Sequence, residues 1–134
     1  MADSLSIFDI SGRAMAAQMV RLNTTASNLA NARSVSSSEA DAFRALKPVF
    51  QTHSDGPDKA TVDVAKVVQS NTQPTRRHDP TNPMADAEGY VWEAGVDEAA
   101  EMIEMIETAR HYQNNVQVLQ TAKSLILETV RMGK

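Results

Sequence analysis

Between Gly95 and Gly133 the chain contains neither proline nor glycine, and its interior is dominated by Glu, Met, Ala, Leu and Gln, residues that lose little freedom in a helix. With Met105 taken as position a of a heptad, the a and d positions read Met102, Met105, Ala109, Tyr112, Val116, Leu119, Lys123, Ile126 and Val130, an apolar stripe that only Lys123 interrupts. The stretch from Val96 to the end therefore predicts one long helix. Gly95 is the expected N-cap, Asp97, Glu98 and Glu101 stand where the helix dipole favours anions, and Lys123, Arg131 and Lys134 stand where it favours cations. At about 1.5 Å per residue the helix would be roughly 50 Å long, more than the diameter of a small domain. It needs partners along its length.

A second, weaker seam lies at the other end. From about Ser4 to Ala32, the residues Leu5, Phe8, Gly12, Met15, Met19, Leu22, Ala26 and Leu29 alternate by three and four, and Asp3 or Ser4 can cap the start. Asn23, Thr24, Thr25, Ser27, Asn28 and Asn31 make the second half a poor helix on its own, so this segment depends on packing. Between the ends, Ser34 to Asp41 reads as a Ser-rich linker. Phe43 to Gln51 and Thr61 to Gln69 read as two strands around a turn at Asp55-Gly56-Pro57. Ser70 to Asn82 reads as an extended loop, which Tyr90, Val91 and Trp92 anchor on the helices. The expected fold is mainly α. Long N- and C-terminal helices, within residues 1–33 and 96–134, pair as an α-helical coiled coil, and residues 34–95 supply a linker, a small β-hairpin and an extended Pro-rich segment.

An aromatic share of 4%, beside seven Met, suits helix seams better than a large globular interior. The net charge of −4 and a single short basic cluster, Arg76-Arg77-His78, argue against nucleic acid as a partner. There is no cysteine, hence no disulfide or thiolate chemistry, and no apolar run long enough to span a bilayer. The start, MADSLSIFDIS, lacks the basic and apolar regions of a cleaved secretory signal. His53, His78 and His111 fit no zinc motif. Glu107 and His111, four apart, read as a surface pair, and Glu98, Glu101, Glu104 and Glu107 read as a solvated flank rather than paired catalytic acids. With no Gly-rich phosphate loop, nucleophile elbow or triad, the expectation is no catalysis, no metal or cofactor and no small-molecule substrate.

Particular words of the sequence carry more. SGRAMAAQMVRLNTTASNLANARS, with Ser27-Asn28-Leu29-Ala30-Asn31 after the Arg21-Leu22 pair, resembles the opening helix of the flagellar rod and hook axial protein family. NPMADAEGYV, then VDEAAEMIEMIETARHYQNNVQVLQTAKSLILETVRMG, resembles the C-terminal half of that family, with Tyr112, Asn115, Val116, Leu119, Thr121, Ala122 and Lys123 at its motif positions. The two stretches stand in the family's order, and the short chain matches its proximal-rod members. After Asn31 the family usually continues Ala-Asn-Thr, where this chain has Ala32-Arg33-Ser34, and Ser36 to Gln73 offers little to match residue by residue.

The resemblance implies a structural subunit of the proximal rod of the bacterial flagellar basal body. It implies export through the flagellar type III apparatus without a cleaved signal. It also implies assembly in the periplasmic space with other rod proteins, copies of itself and the MS-ring and rod adaptor proteins, forming the drive shaft that transmits torque and encloses the export channel. The seam residues Leu5, Phe8, Met15, Met19, Leu22, Leu29, Met102, Met105, Ala109, Tyr112, Val116, Leu119, Ile126 and Val130 are then expected to serve assembly. A cytoplasmic coiled-coil adaptor or export chaperone is the alternative.

Overall fold

The computed structural model describes residues 2–133 other than 55, 57 and 58, with side chains from Ile7 onward. Its elements run in the order α1 (Ala2–Asn31), β1 (Val35–Ser36), β2 (Leu46–Ser54), β3 (Ala60–Gln69), β4 (Thr75–His78), β5 (Tyr90–Glu93) and α2 (Glu98–Met132). The two helices, of 30 and 35 residues, run side by side and antiparallel. Arg21 near the middle of α1 bonds Glu104 near the start of α2, Arg33 just beyond α1 reaches Glu98 at 3.2 Å, and Ile7 lies beside Val118 and Leu125. The hairpin of β2 and β3 packs along α1 as well, fastened by Arg13, which reaches Asp63 at 3.7 Å and Thr61 Oγ1 at 3.4 Å. Of the helices and strands, α1 alone packs against both the other helix and the hairpin.

β2 and β3 pair antiparallel from Leu46 opposite Gln69 to Ser54 opposite Ala60, with an irregularity between Val49 and Phe50. The expected strands are therefore present with shifted limits. In the expected turn, Asp55 and Pro57 lie outside the described residues, and Gly56 has φ 117°, a conformation glycine adopts without a steric penalty. The other sheet has the order β1-β5-β4, all antiparallel, and Val91 in its central strand is fully buried. The two sheets are stitched together at Gly95, which donates to the Phe43 carbonyl at 2.7 Å and accepts from the Ala45 N–H at 3.1 Å. A Cβ at Gly95 would run into the Thr72 carbonyl and the Pro74 nitrogen, so only glycine permits this approach.

These strands overturn the expectation of a mainly α coiled coil with one small hairpin. Two antiparallel sheets separate the helices in the chain. β4 falls in the segment expected to be loop, and Tyr90 to Trp92 form the central strand of a sheet rather than a plug against the helices. β4 was hidden because Thr75-Arg76-Arg77-His78 has no apolar alternation and is exposed throughout. Its partner makes it a strand: Arg77 bonds Glu93 at 2.9 Å, the Arg76 guanidinium lies 3.9 Å above the Tyr90 ring, and His78 meets that ring edge-on. The turn into β5 is built by Asp86, whose Oδ1 accepts from the backbone N–H groups of Tyr90 and Glu88 at 2.9 Å each; the Tyr90 bond is the main reason its carboxyl is held below the usual carboxylate range. The N-cap of α2 is also not Gly95 but Asp97, whose side chain accepts from Ala100 N at 3.2 Å.

Apart from Val91, the buried positions are mostly small or polar, with Ala17, Ala42, Ala45 and Ala94 beside Ser11, Thr25, Asn28 and Thr108. Asn28 is the most consequential. With no exposed surface, it accepts from Leu46 N at 2.8 Å and donates to Leu46 O at 2.9 Å, which closes the first residue of β2 onto α1. Asn28→Ala strands both backbone groups and is expected to lower unfolding stability by about 1 to 3 kcal/mol. Asn28→Asp keeps the acceptor but, when ionised, turns a negative oxygen toward the Leu46 carbonyl, so its deficit should shrink when the carboxyl is protonated. Urea unfolding of both variants at neutral and acidic pH checks this.

Candidate assembly surface

The two heptads can be followed onto the helices. Phe8, Met15, Leu22 and Leu29 of α1 are half-buried, as are Met105, Ala109, Tyr112, Val116, Leu119 and Ile126 of α2. The side chain of Leu5 lies outside the described residues. Met19 is 39% exposed, Met102 58% and Val130 53%, so the structure does not bring these three into the contact between the helices. For Met19 and Met102 the more covered position is the neighbour one residue earlier, Gln18 and Glu101, and the same holds for Ser11 rather than Gly12, Thr25 rather than Ala26, and Ala122 rather than Lys123, whereas Thr129 before Val130 is exposed too. A set of apolar anchors seven apart can be completed by a residue three or four positions on. Counting apolar side chains favours one completion, whereas close approach of two backbones favours small residues. Thr108 meets its own need by donating Oγ1 to the Glu104 carbonyl at 2.7 Å, so it is buried without a partner from α1.

The acidic row on α2 is likewise not the solvated flank its spacing suggested. Glu101 is 2% exposed, and its Oε1 accepts from Lys47 Nζ of β2 at 2.9 Å. Glu104 bonds Arg21, with side chains 27% and 18% exposed. Only Glu98, paired with Arg33, and Glu107 remain on the surface. What could have revealed the two inner acids is the presence of a cation on another element for each, which spacing along one helix does not show. Every one of these pairs joins an acid to a base, so no carboxylate pair suited to acid–base chemistry arises, and among the described residues no three His, Cys, Asp or Glu come together as a metal site. Among those residues, too, no helix is long and apolar enough to cross a membrane.

What the surface offers instead is apolar area. Met102, Ile103 and Ile106 near one end of α2, and Leu125, Leu127 and Val130 near the other, are about half exposed. An open, mainly apolar groove of about 640 Å³ runs between Ile7 and the stretch of α2 from Asn114 to Ile126. Exposed apolar side chains in this number along one long helix make its surface the candidate contact region.

Both helices match known families. Residues 8–33 match the family described as flagella basal body rod protein, and residues 87–132 match the flagellar basal body rod FlgEFG protein C-terminal family. Over 132 residues the chain is 46% identical to the flagellar basal-body rod protein FlgC of Salmonella typhimurium (strain LT2), covering 97% of this chain and 98% of that one. The chain belongs to the FlgC family of flagellar basal-body rod proteins. The FlgC of Escherichia coli O157:H7 is 46% identical over the same length, and that of Aquifex aeolicus is 35% identical over 136 residues, covering both chains in full. The similarity to FlgC proteins thus runs through both sheets, of which the family matches reach only β5.

The structure gives the residues of the FlgC resemblance different tasks. Asn28 clamps β2, while Asn31 donates to the Ser27 carbonyl at 2.8 Å and its own carbonyl accepts from Ser34, closing the end of α1. Leu29, Tyr112, Asn115, Val116, Leu119 and Ala122 are half-buried, whereas Ala30, Thr121 and Lys123 are exposed.

Chief among the causes acting on Glu104, the hydrogen bond from Arg21 outweighs partial burial and, helped by the charges of Arg21 and Lys47, holds the carboxyl below its usual value of 4.5. Because the folded value is the lower one, the pair's contribution is complete above the unfolded value and is lost as pH falls through the folded one. The stability difference between the native chain and Glu104→Gln should therefore be constant above about pH 5 and shrink below pH 4.5. Urea midpoints measured from pH 3 to 7 read this directly.

Proposed function

We propose that the chain is a structural subunit of the flagellar basal-body rod, in its proximal part. There it assembles with other rod proteins and copies of itself into the drive shaft that transmits torque and encloses the export channel. The observation that carries this is the 46% identity to a flagellar basal-body rod protein over 132 residues, with both terminal helices included. The physical support is the surface of α2, whose exposed Met, Ile, Leu and Val side chains a free subunit leaves in water and a packed one covers. The role is architectural rather than catalytic. Export without a cleaved signal into the periplasmic space, with contacts to the export apparatus and the MS-ring and rod adaptors, belongs to the same reading.

Half-buried as they are within one subunit, Leu22 and Leu119 serve the pairing of α1 with α2. In this reading assembly falls to the exposed residues. Met102→Glu and Ile103→Glu, 58% and 59% exposed in the single chain, should change its unfolding free energy by no more than about 0.5 kcal/mol. In cells lacking the native protein they should leave the subunit expressed but missing from detergent-extracted basal bodies, with motility lost. Normal swimming by both variants would remove this part of α2 from the assembly surface. Absence of the native chain itself from basal bodies would favour an adaptor that never joins the rod.

A further inference from the structure

Two couples of opposite charge stand on the outer face of α2, Glu107 with Arg110 and Glu128 with Arg131. All four side chains are exposed, and among the described residues none makes an ion pair within the chain. Asn114, Gln117, Thr121 and Ser124 continue the stripe between them at helical spacing, also exposed. The middle of the stripe thus carries no charge, although 22% of the chain is charged, and charge confined to the margins is how an interface is laid out.

We propose that this stripe is a self-association surface on which two copies of the chain pair α2 against α2, antiparallel, about a two-fold axis level with Leu119. Glu107 of each copy then faces Arg131 of the other, and Arg110 faces Glu128, so the axis makes each ion pair twice. Asn114 meets Ser124, Gln117 meets Thr121, and Ile106 meets Met132 at either end. A parallel pair in register would set Glu107 on Glu107 and Arg131 on Arg131 and repel. The antiparallel contact uses one patch on both copies, so it closes on itself, whereas a growing rod needs head-to-tail contacts. It goes beyond the rod reading and does not depend on it. The dimer covers this stripe of α2 in solution.

Analytical ultracentrifugation of the purified full-length chain over a concentration series tests this, with circular dichroism to monitor folding. A dimer is expected, weakening as salt screens its exposed ion pairs. Arg110→Glu turns two attractions into two repulsions and should raise the dissociation constant about tenfold. The swap Arg110→Glu/Glu128→Arg should bring it back to within about threefold of the native value. These two positions are about 27 Å apart on one helix, so the rescue cannot arise inside a single chain. A monomer at every concentration, or a double variant no better than Arg110→Glu, overturns the proposal. Rescue by Glu107→Arg/Arg110→Glu instead, which suits a parallel pair shifted by one turn, overturns the antiparallel arrangement.

Discussion

Two consecutive residues of β2 hold the molecule together. Leu46 is bonded through both backbone groups to Asn28 of α1, and Lys47 bonds Glu101 of α2, so one dipeptide fixes the hairpin to both helices at once. Everything else is arranged around that junction. Arg44, two residues before Leu46, forms a parallel bridge with Gly95, which places the sheet of β1, β5 and β4 and delivers the chain to the N-cap of α2 at Asp97. The chemistry of the junction explains its position in a buried polar place. Asn28 offers one donor and one acceptor to a backbone that needs both, and Glu101 is covered only because a lysine is carried to it.

Such a fold relies little on large apolar side chains. Among the described residues its buried hydrophobic side chains are four alanines and a valine, while much of its larger apolar surface is exposed on α2. A chain that spends its Met, Ile and Leu this way gains less from folding alone than a compact domain of equal length and has more to gain from neighbours. That balance suits membership of a family of basal-body rod proteins. It also accounts for the polar clamps, since hydrogen bonds and ion pairs in fixed geometry give the subunit one shape where apolar packing alone leaves several.

The two helices were legible because their evidence is local: a long stretch free of proline and glycine, and apolar residues at helical spacing. The hairpin was legible for the same reason, in its Val-rich strands. What escaped depended on partners distant in sequence. β4 has no strand pattern of its own and exists through Tyr90 and Glu93 on β5. Gly95 looked like a helix cap from its place before Val96, whereas the crowding that demands glycine there comes from Thr72 to Pro74. The seam was half legible. Phe8, Met15, Leu22 and Leu29 were found, but the choice between Gln18 and Met19, or between Glu101 and Met102, rests on how closely α1 and α2 approach. Asn28 stood out only as a letter in a family word, and its role needed Leu46 beside it.

Support along α2 is unequal. Its start is tied by Glu98, Glu101 and Glu104 to Arg33, Lys47 and Arg21, while from Leu127 to Met132 every side chain is exposed. Between these ends the helix lies along α1 as far as Ile126, so only its last turns overhang. A sideways push near Met132 acts on the contact near Ile126 through an arm of about 9 Å. Load taken up at the tip is therefore passed first to the packing of the two helices, and the polar junction at the root is shielded from it.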